Sequence, residues 1–213
     1  MKKFIALLLA VIFVLSVYGI AEEKPTIVAT TYPLYDIAKS VAGDRMNVIY
    51  APENAQEHAA DCDIVFALCE ETDPWTKEIS NVKVIYALEG IEIIDGVYDV
   101  FTVPVNLMLC SSYFADSLCM LDMSNQSYYY ENYMNYFLMM SEIDNQYRQA
   151  VTQDMTVYSN DGTMLYLAIE YGVNVENTDE AYLLSTYNYP SEDDLAFSYA
   201  DLMMRNVEIL QNK

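Results

Sequence analysis

One long periodic segment restricts the fold more than any other part of this chain. Between Ser127 and Gln153, Tyr129, Tyr133, Tyr136, Met140, Ile143 and Tyr147 recur at steps of three and four. Glu131, Asn132, Asn135, Glu142, Asn145 and Arg148 fall on the opposite side. Opened by the start signal Asp122-Met123-Ser124-Asn125, this spacing predicts one amphipathic helix, roughly 40 Å long at 1.5 Å per residue. Its tyrosine stripe reads as packing surface rather than as a ligand cage.

Short apolar runs flank that helix. Before it, Thr26–Thr31, Met46–Tyr50, Asp63–Leu68 and Val82–Ala87 read as buried strands. Tyr32-Pro33-Leu34 reads as a turn, Tyr35–Ala42 as a helix ended by Gly43-Asp44, and Val105–Leu121 as another helix. After it come a strand at Thr156–Ser159, a helix over Gly162–Tyr171 and a strand at Ala181–Ser185. A polar loop at Tyr187–Asp194 and a closing helix over Leu195–Gln211 complete the chain. Strands alternating with helices predict an α/β fold with parallel sheets. The expected organisation is an N-terminal α/β lobe (22–122), a joining helix (123–153) and a reduced C-terminal α/β lobe (154–213).

The first residues read as an export signal. Met1-Lys2-Lys3 is basic, Phe4–Val17 is apolar except for Ser16, and Gly19 and Ala21 supply the small side chains before Glu22. Cleavage is expected after Ala21, making 1–21 a signal peptide. The rival reading is an uncleaved anchor, for which the apolar run is short against the ~20 residues that span a bilayer. No Cys lies near the exit, so a lipoprotein signal is not expected.

Charge narrows the partners. The chain has 32 acidic and 10 basic residues, a net charge of −22. That balance argues against nucleic acid and anionic lipid as partners and is compatible with cations. Cys62, Cys69, Cys110 and Cys119 sit in apolar contexts without CxxC spacing, which favours buried free thiols over a zinc–thiolate site. The chain lacks a Gly-rich phosphate loop, a GxSxG turn and an HExxH motif, and one histidine leaves little for acid–base chemistry. An enzyme is therefore not expected.

Six stretches, in order, carry a resemblance. They are Lys24–Ala38 with Val41-Ala42-Gly43-Asp44-Arg45; Asp61–Phe66; Asp73-Pro74-Trp75; Gly90-Ile91-Glu92; Ser127–Arg148; and Ser198–Met203 with Asn206-Val207-Glu208. Together the chain resembles the substrate-binding proteins of zinc and manganese ABC transporters. The resemblance implies two α/β lobes joined by a rigid helix, one divalent metal ion (zinc or manganese) between them, a membrane permease as partner, a periplasmic or extracellular-face location, and a monomer. The family usually holds its metal with three histidines and one acid.

The ligand positions depart from that set. Anchoring on Pro104-Val105-Asn106 places Asp99 where the family has His. Anchoring on Tyr166-Leu167 and Tyr171-Gly172 does the same for Asp161. The first ligand loop looks deleted around Ala51–His58, and the late acid falls near Ser185. His58, the only histidine, belongs by position to the helix before Asp63; it is either a third ligand or a surface residue. Part of the C-terminal lobe looks missing between Val173 and Ala181. Carboxylates in place of imidazoles shift the preference from zinc toward harder ions such as manganese or calcium. The alternative is a degenerate or repurposed scaffold acting as a non-metal binding or interaction protein.

Overall fold

Four short apolar segments pair into one sheet in the computed structural model, which describes residues 24–152, 154–159, 164–177 and 184–212. Strands β1 (Thr26–Ala29), β2 (Asn47–Tyr50), β3 (Ile64–Ala67) and β4 (Lys83–Tyr86) take the order β2-β1-β3-β4. All pairings are parallel, with Val28 level with Ile49 and Val65. Such strands are apolar throughout because both faces are covered. Helices α1 (Tyr32–Ala42), α2 (Ala55–His58) and α3 (Pro104–Leu121) belong to this half. Ile27, Ala29, Ile64, Phe66 and Ile85 pack in one cluster with α1 and α3, where Phe66 stacks on Phe114 at 4.3 Å. On the other face, Val28, Val65 and Ala67 pack with Ala55 of α2, Ala59 and Trp75.

Helix α4 (Gln126–Ala150) is the joining helix; its 25 residues span roughly 37 Å. Tyr129, Tyr136, Met140, Ile143 and Tyr147 are buried as the periodicity predicts, and Tyr133 is half-buried. Tyrosine suits this stripe because each buried ring carries a hydroxyl that reaches a different neighbour. Tyr129 donates to Asp122 (2.8 Å), Tyr136 to Asp36 on α1 (3.2 Å), and Tyr147 to the Met203 carbonyl (3.2 Å). At the α1 terminus, Gly43 has φ +56°, and an added Cβ would stand 2.3 Å from the Tyr128 hydroxyl. Only glycine allows both that turn and the close passage of α4.

Beyond α4 lie β5 (Thr156–Ser159), α5 (Leu165–Tyr171), β6 (Asn174–Asn177) and α6 (Tyr199–Gln211). Strands β5 and β6 form a second, two-stranded parallel sheet, and Leu184 adds a parallel bridge to Ser159. The architecture is thus of the expected class: two parallel sheets joined by one long helix, the second sheet the smaller. Among the described residues no helix is long and apolar enough to cross a membrane.

Several boundaries differ from expectation. Tyr32-Pro33-Leu34 is the first turn of α1 rather than a separate turn, because proline is preset for the opening positions of a helix. The closing helix begins at Tyr199, not Leu195. Ser198 and Asp201 form a capping box there, and Leu195 lies in a short 3-10 turn, Asp194–Ala196. Strand β6 was not anticipated: Asn-Val-Glu-Asn carries one apolar residue, and pairing with β5 forms it. All four cysteines are free, but only Cys110 and Cys119 are buried; Cys62 and Cys69 are half-buried. The expected signal segment 1–21, positions 162–163 of the expected helix and 181–183 of the expected strand lie outside the described residues.

Candidate functional site

Ligands of open parallel sheets bind beyond the carboxyl ends of the strands, where the strand order reverses. Here the reversal falls at β1, flanked by β2 and β3. The residues that leave these ends are Thr30 and Thr31 after β1, Ala51 after β2 and Leu68 after β3. Asp73 turns back toward this end: its carboxylate accepts from the Leu68 N–H (3.1 Å) and the Thr72 hydroxyl (3.0 Å). Burial pushes the Asp73 pKa up, against those hydrogen bonds. The Thr31 hydroxyl is buried and has no hydrogen-bond partner among the described residues.

Asp99 reaches the same end from the loop after β4. It precedes the short turn Val100–Thr102, and its backbone carbonyl accepts from the Thr102 hydroxyl (3.1 Å). The buried Asn106 side chain donates to the Val100 carbonyl (2.7 Å), which fixes the turn on α3. Its position therefore follows from the Pro104-Val105-Asn106 element that marked it in the sequence.

A segment from the second half of the chain lies across this end. The Asn188 side-chain amide donates to the Asp99 carboxylate at 2.9 Å, and the Asn188 carbonyl accepts from the Tyr32 N–H at 3.1 Å. Next to it, Tyr189 is 68% exposed. Partial desolvation, then the negative charges of Asp73 and Asp99, raise the pKa of its hydroxyl. Burial, followed by the proximity of Tyr189 and Tyr32, pushes Tyr50 up to about 12. Two carboxylates, an amide and tyrosine hydroxyls thus gather at one end of the sheet. Beside them opens a cavity of about 510 Å³ lined by Leu68, Leu88, Ile93 and Tyr98. Two carboxylates of its rim already have partners, Glu70 with Lys77 and Glu89 with the Tyr113 hydroxyl.

Of the residues singled out in the sequence, Asp99 stands in this crevice. His58 ends α2, in the connection between β2 and β3 that covers the sheet's second face. Asp161 lies outside the described residues. Among the described residues no three His, Cys, Asp or Glu side chains are grouped so as to hold a metal ion. Near the expected late acid, the Ser185 N–H donates to the Asn206 side chain (3.1 Å) and its carbonyl accepts from it (2.8 Å). The sequence reading missed Asn188, three residues further on; nothing in a polar loop distinguishes it.

A helix thus joins two parallel sheets, and a segment from the second half of the chain meets the Asp99 turn of the first at the crevice. A family profile described as zinc-uptake complex component A, periplasmic, matches residues 27–212, and the chain belongs to that family. The family comprises solute-binding proteins, not enzymes. Among solved structures, the Zn(II)-bound ZnuA-like domain of Streptococcus pneumoniae AdcA is similar at TM-score 0.76 and 18% identity, over 89% of this chain and 98% of that one. The metal-dependent lipoprotein YcdH of Bacillus subtilis is similar at TM-score 0.78 and 17% identity, over 89% and 99%. Against Zn(II)-bound AdcA itself the TM-score is 0.77 at 18% identity; 89% of this chain is covered but only 57% of AdcA. A search of curated protein sequences found no match.

Proposed function

We propose that this chain is the receptor of an ABC importer, exported by its 1–21 signal, which captures one divalent cation and delivers it to a membrane permease. The observation that carries the reading is the Asp99–Asn188 pair at the carboxyl ends of a family-type sheet. It supports the reading by bringing a carboxylate and an amide side chain together where a cargo ion is expected. Asp161 supplies a second carboxylate by its place in the resemblance, and His58, on α2, is expected to be dispensable. Residues 22–122 and 154–213 act as the two lobes and 123–153 as the helix between them. Oxygen donors favour manganese or calcium over zinc, even though similar proteins such as AdcA were solved with Zn(II). The net charge of −22 favours cation approach and disfavours nucleic acid, and the receptor works in the periplasm or on the outer face as a monomer.

Thermal melting of the mature protein with manganese, zinc or calcium tests this. A bound ion at a hundredfold excess over its Kd stabilises by about 2.7 kcal/mol. Manganese is expected to raise Tm most, and Asp99→Ala combined with Asp161→Ala is expected to abolish the shift. A Tm unmoved by all three ions overturns the receptor reading in favour of a repurposed scaffold that binds a non-metal partner.

A further inference from the structure

The segment that carries Asn188 is held firmly along its backbone. The Leu184 N–H donates to the Tyr158 carbonyl (2.8 Å), and Ser185 exchanges two hydrogen bonds with the Asn206 side chain. The single hydrogen of the buried Tyr199 hydroxyl is shared between the Thr186 carbonyl (2.7 Å) and the Phe101 carbonyl (3.1 Å) near Asp99. The Asn188 carbonyl accepts from the Tyr32 N–H. Tyr199 therefore ties the Asp99 turn and the Asn188 segment to each other. Among the described residues the Asn188 side chain is held by one hydrogen bond, from its amide nitrogen to Asp99 (2.9 Å).

Its chemistry is two-sided. An amide carries donors on one arm and an acceptor on the other, related by half a turn about its last torsion. With the nitrogen toward Asp99, its hydrogens occupy the direction from which a cation would approach that carboxylate. With the oxygen forward, the same side chain becomes a neutral ligand of a hard cation. We propose that Asn188 and Asp99 are two halves of one cation position: the Asn188 amide nitrogen substitutes for the cation at Asp99, and half a turn of the amide converts it into a ligand. The cargo thus binds without release of the segment, because four backbone anchors hold it while one torsion turns. A neutral oxygen at Asn188 also gives the site less negative charge than a carboxylate there would, and so weakens its grip on the ion. This proposal rests on the receptor reading for the identity of the cargo, not for the existence of the shared position.

Three variants of the mature chain, melted with EDTA or with manganese chloride and titrated calorimetrically with manganese, test it. Asn188→Asp sets two carboxylates against each other. Its Tm in EDTA is expected to fall, manganese to restore it, and affinity to rise about tenfold or more with the added ligand charge. Asn188→Leu, similar in size but without oxygen, is expected to weaken manganese about tenfold or more, at least the loss seen when a group supporting a metal ligand is removed. Asp99→Asn with Asn188→Asp exchanges the partners, so Tm in EDTA is expected to recover. If Asn188→Leu binds manganese like the wild type, the shared position is overturned and the receptor reading stands. If the wild type ignores every cation but Asn188→Asp responds to manganese, the receptor reading falls and the shared position stands. If neither responds, both fall.

Discussion

The larger sheet is covered on both faces by its own half of the chain, whereas the smaller sheet shares its packing with the rest of the molecule. On the second face of the large sheet, Val28, Val65 and Ala67 have clusters of their own with Ala55, Ala59 and Trp75. The buried residues of the small half, Val157, Leu167, Val173 and Leu184, all join the cluster that also contains Phe66, Phe114 and the α4 stripe. Among the described residues, then, the small half has no core separate from the large one. Helix α4 contributes to both, through Tyr129 and Tyr136 toward the first and Tyr147 toward α6. The joining helix and the closing helix thus supply cover for the small sheet.

The largest expected effect tests that difference directly. Phe114→Ala removes a fully buried ring stacked on Phe66 and is expected to cost about 3–5 kcal/mol. Leu167→Ala, equally buried, is expected at the low end of the 2–5 kcal/mol range for such truncations, about 2 kcal/mol. Because both residues belong to one cluster, urea unfolding of each variant is expected to stay a single transition by fluorescence and circular dichroism. Two separated transitions in Leu167→Ala would break the comparison, because the small half would then own a separately melting core.

The same contrast decides what was legible in the sequence. The large half writes its strands as apolar tetrapeptides, and α4 writes its register in tyrosines, so both could be read from spacing alone. Strand β6 could not, because Asn174-Val175-Glu176-Asn177 has no pattern until β5 pairs with it. The start of α6 is written in the Ser198-x-x-Asp201 capping box, three residues after the apolar Leu195 from which the expected helix starts. In the site, Asp99 was recoverable because Pro104-Val105-Asn106 anchors it locally. Asn188 was not, because its meeting with Asp99 spans 89 positions and depends on how the two halves close.

A buried carboxylate ties those halves together. Asp36 on α1 accepts from the Tyr136 hydroxyl on α4 and from the Tyr199 N–H at the start of α6 (3.0 Å). Asp36→Ala strands both donors and is expected to cost about 1–3 kcal/mol. Burial raises the Asp36 pKa above 3.8, and the bonds from Tyr199 and Tyr136 and the charge of Lys39 offset this only in part. A native pKa above the unfolded one gives a contribution that is full below 3.8 and lost as pH rises through the raised value. Asp36→Asn keeps an acceptor for Tyr199 and is expected to flatten that part of a Tm-against-pH profile. An unchanged slope would mean that Asp36 does not sense the junction.

Asp122, at the entry to α4, titrates with the opposite sign and a smaller amplitude. Its carboxylate accepts from Ser124 (2.5 Å), Asn125 (2.7 Å) and the Tyr129 hydroxyl (2.8 Å), and these bonds hold its pKa down at about 2. A native pKa below the unfolded one gives stability that is present above 3.8 and lost as pH falls through about 2. Solvent screens most of this interaction, so the expected contribution is about a few tenths of a kcal/mol. Asp122→Asn should therefore lower Tm slightly at neutral pH and converge with the wild type near pH 2. The buried middle and the entry of the joining helix would then be distinguishable in one acid titration, Asp36 through a loss on raising the pH and Asp122 through a loss on lowering it. Equal and parallel slopes for the two Asn variants would show that the buried junction between the halves is as wet as the helix entry, and the contrast between shared and surface packing along α4 would fail.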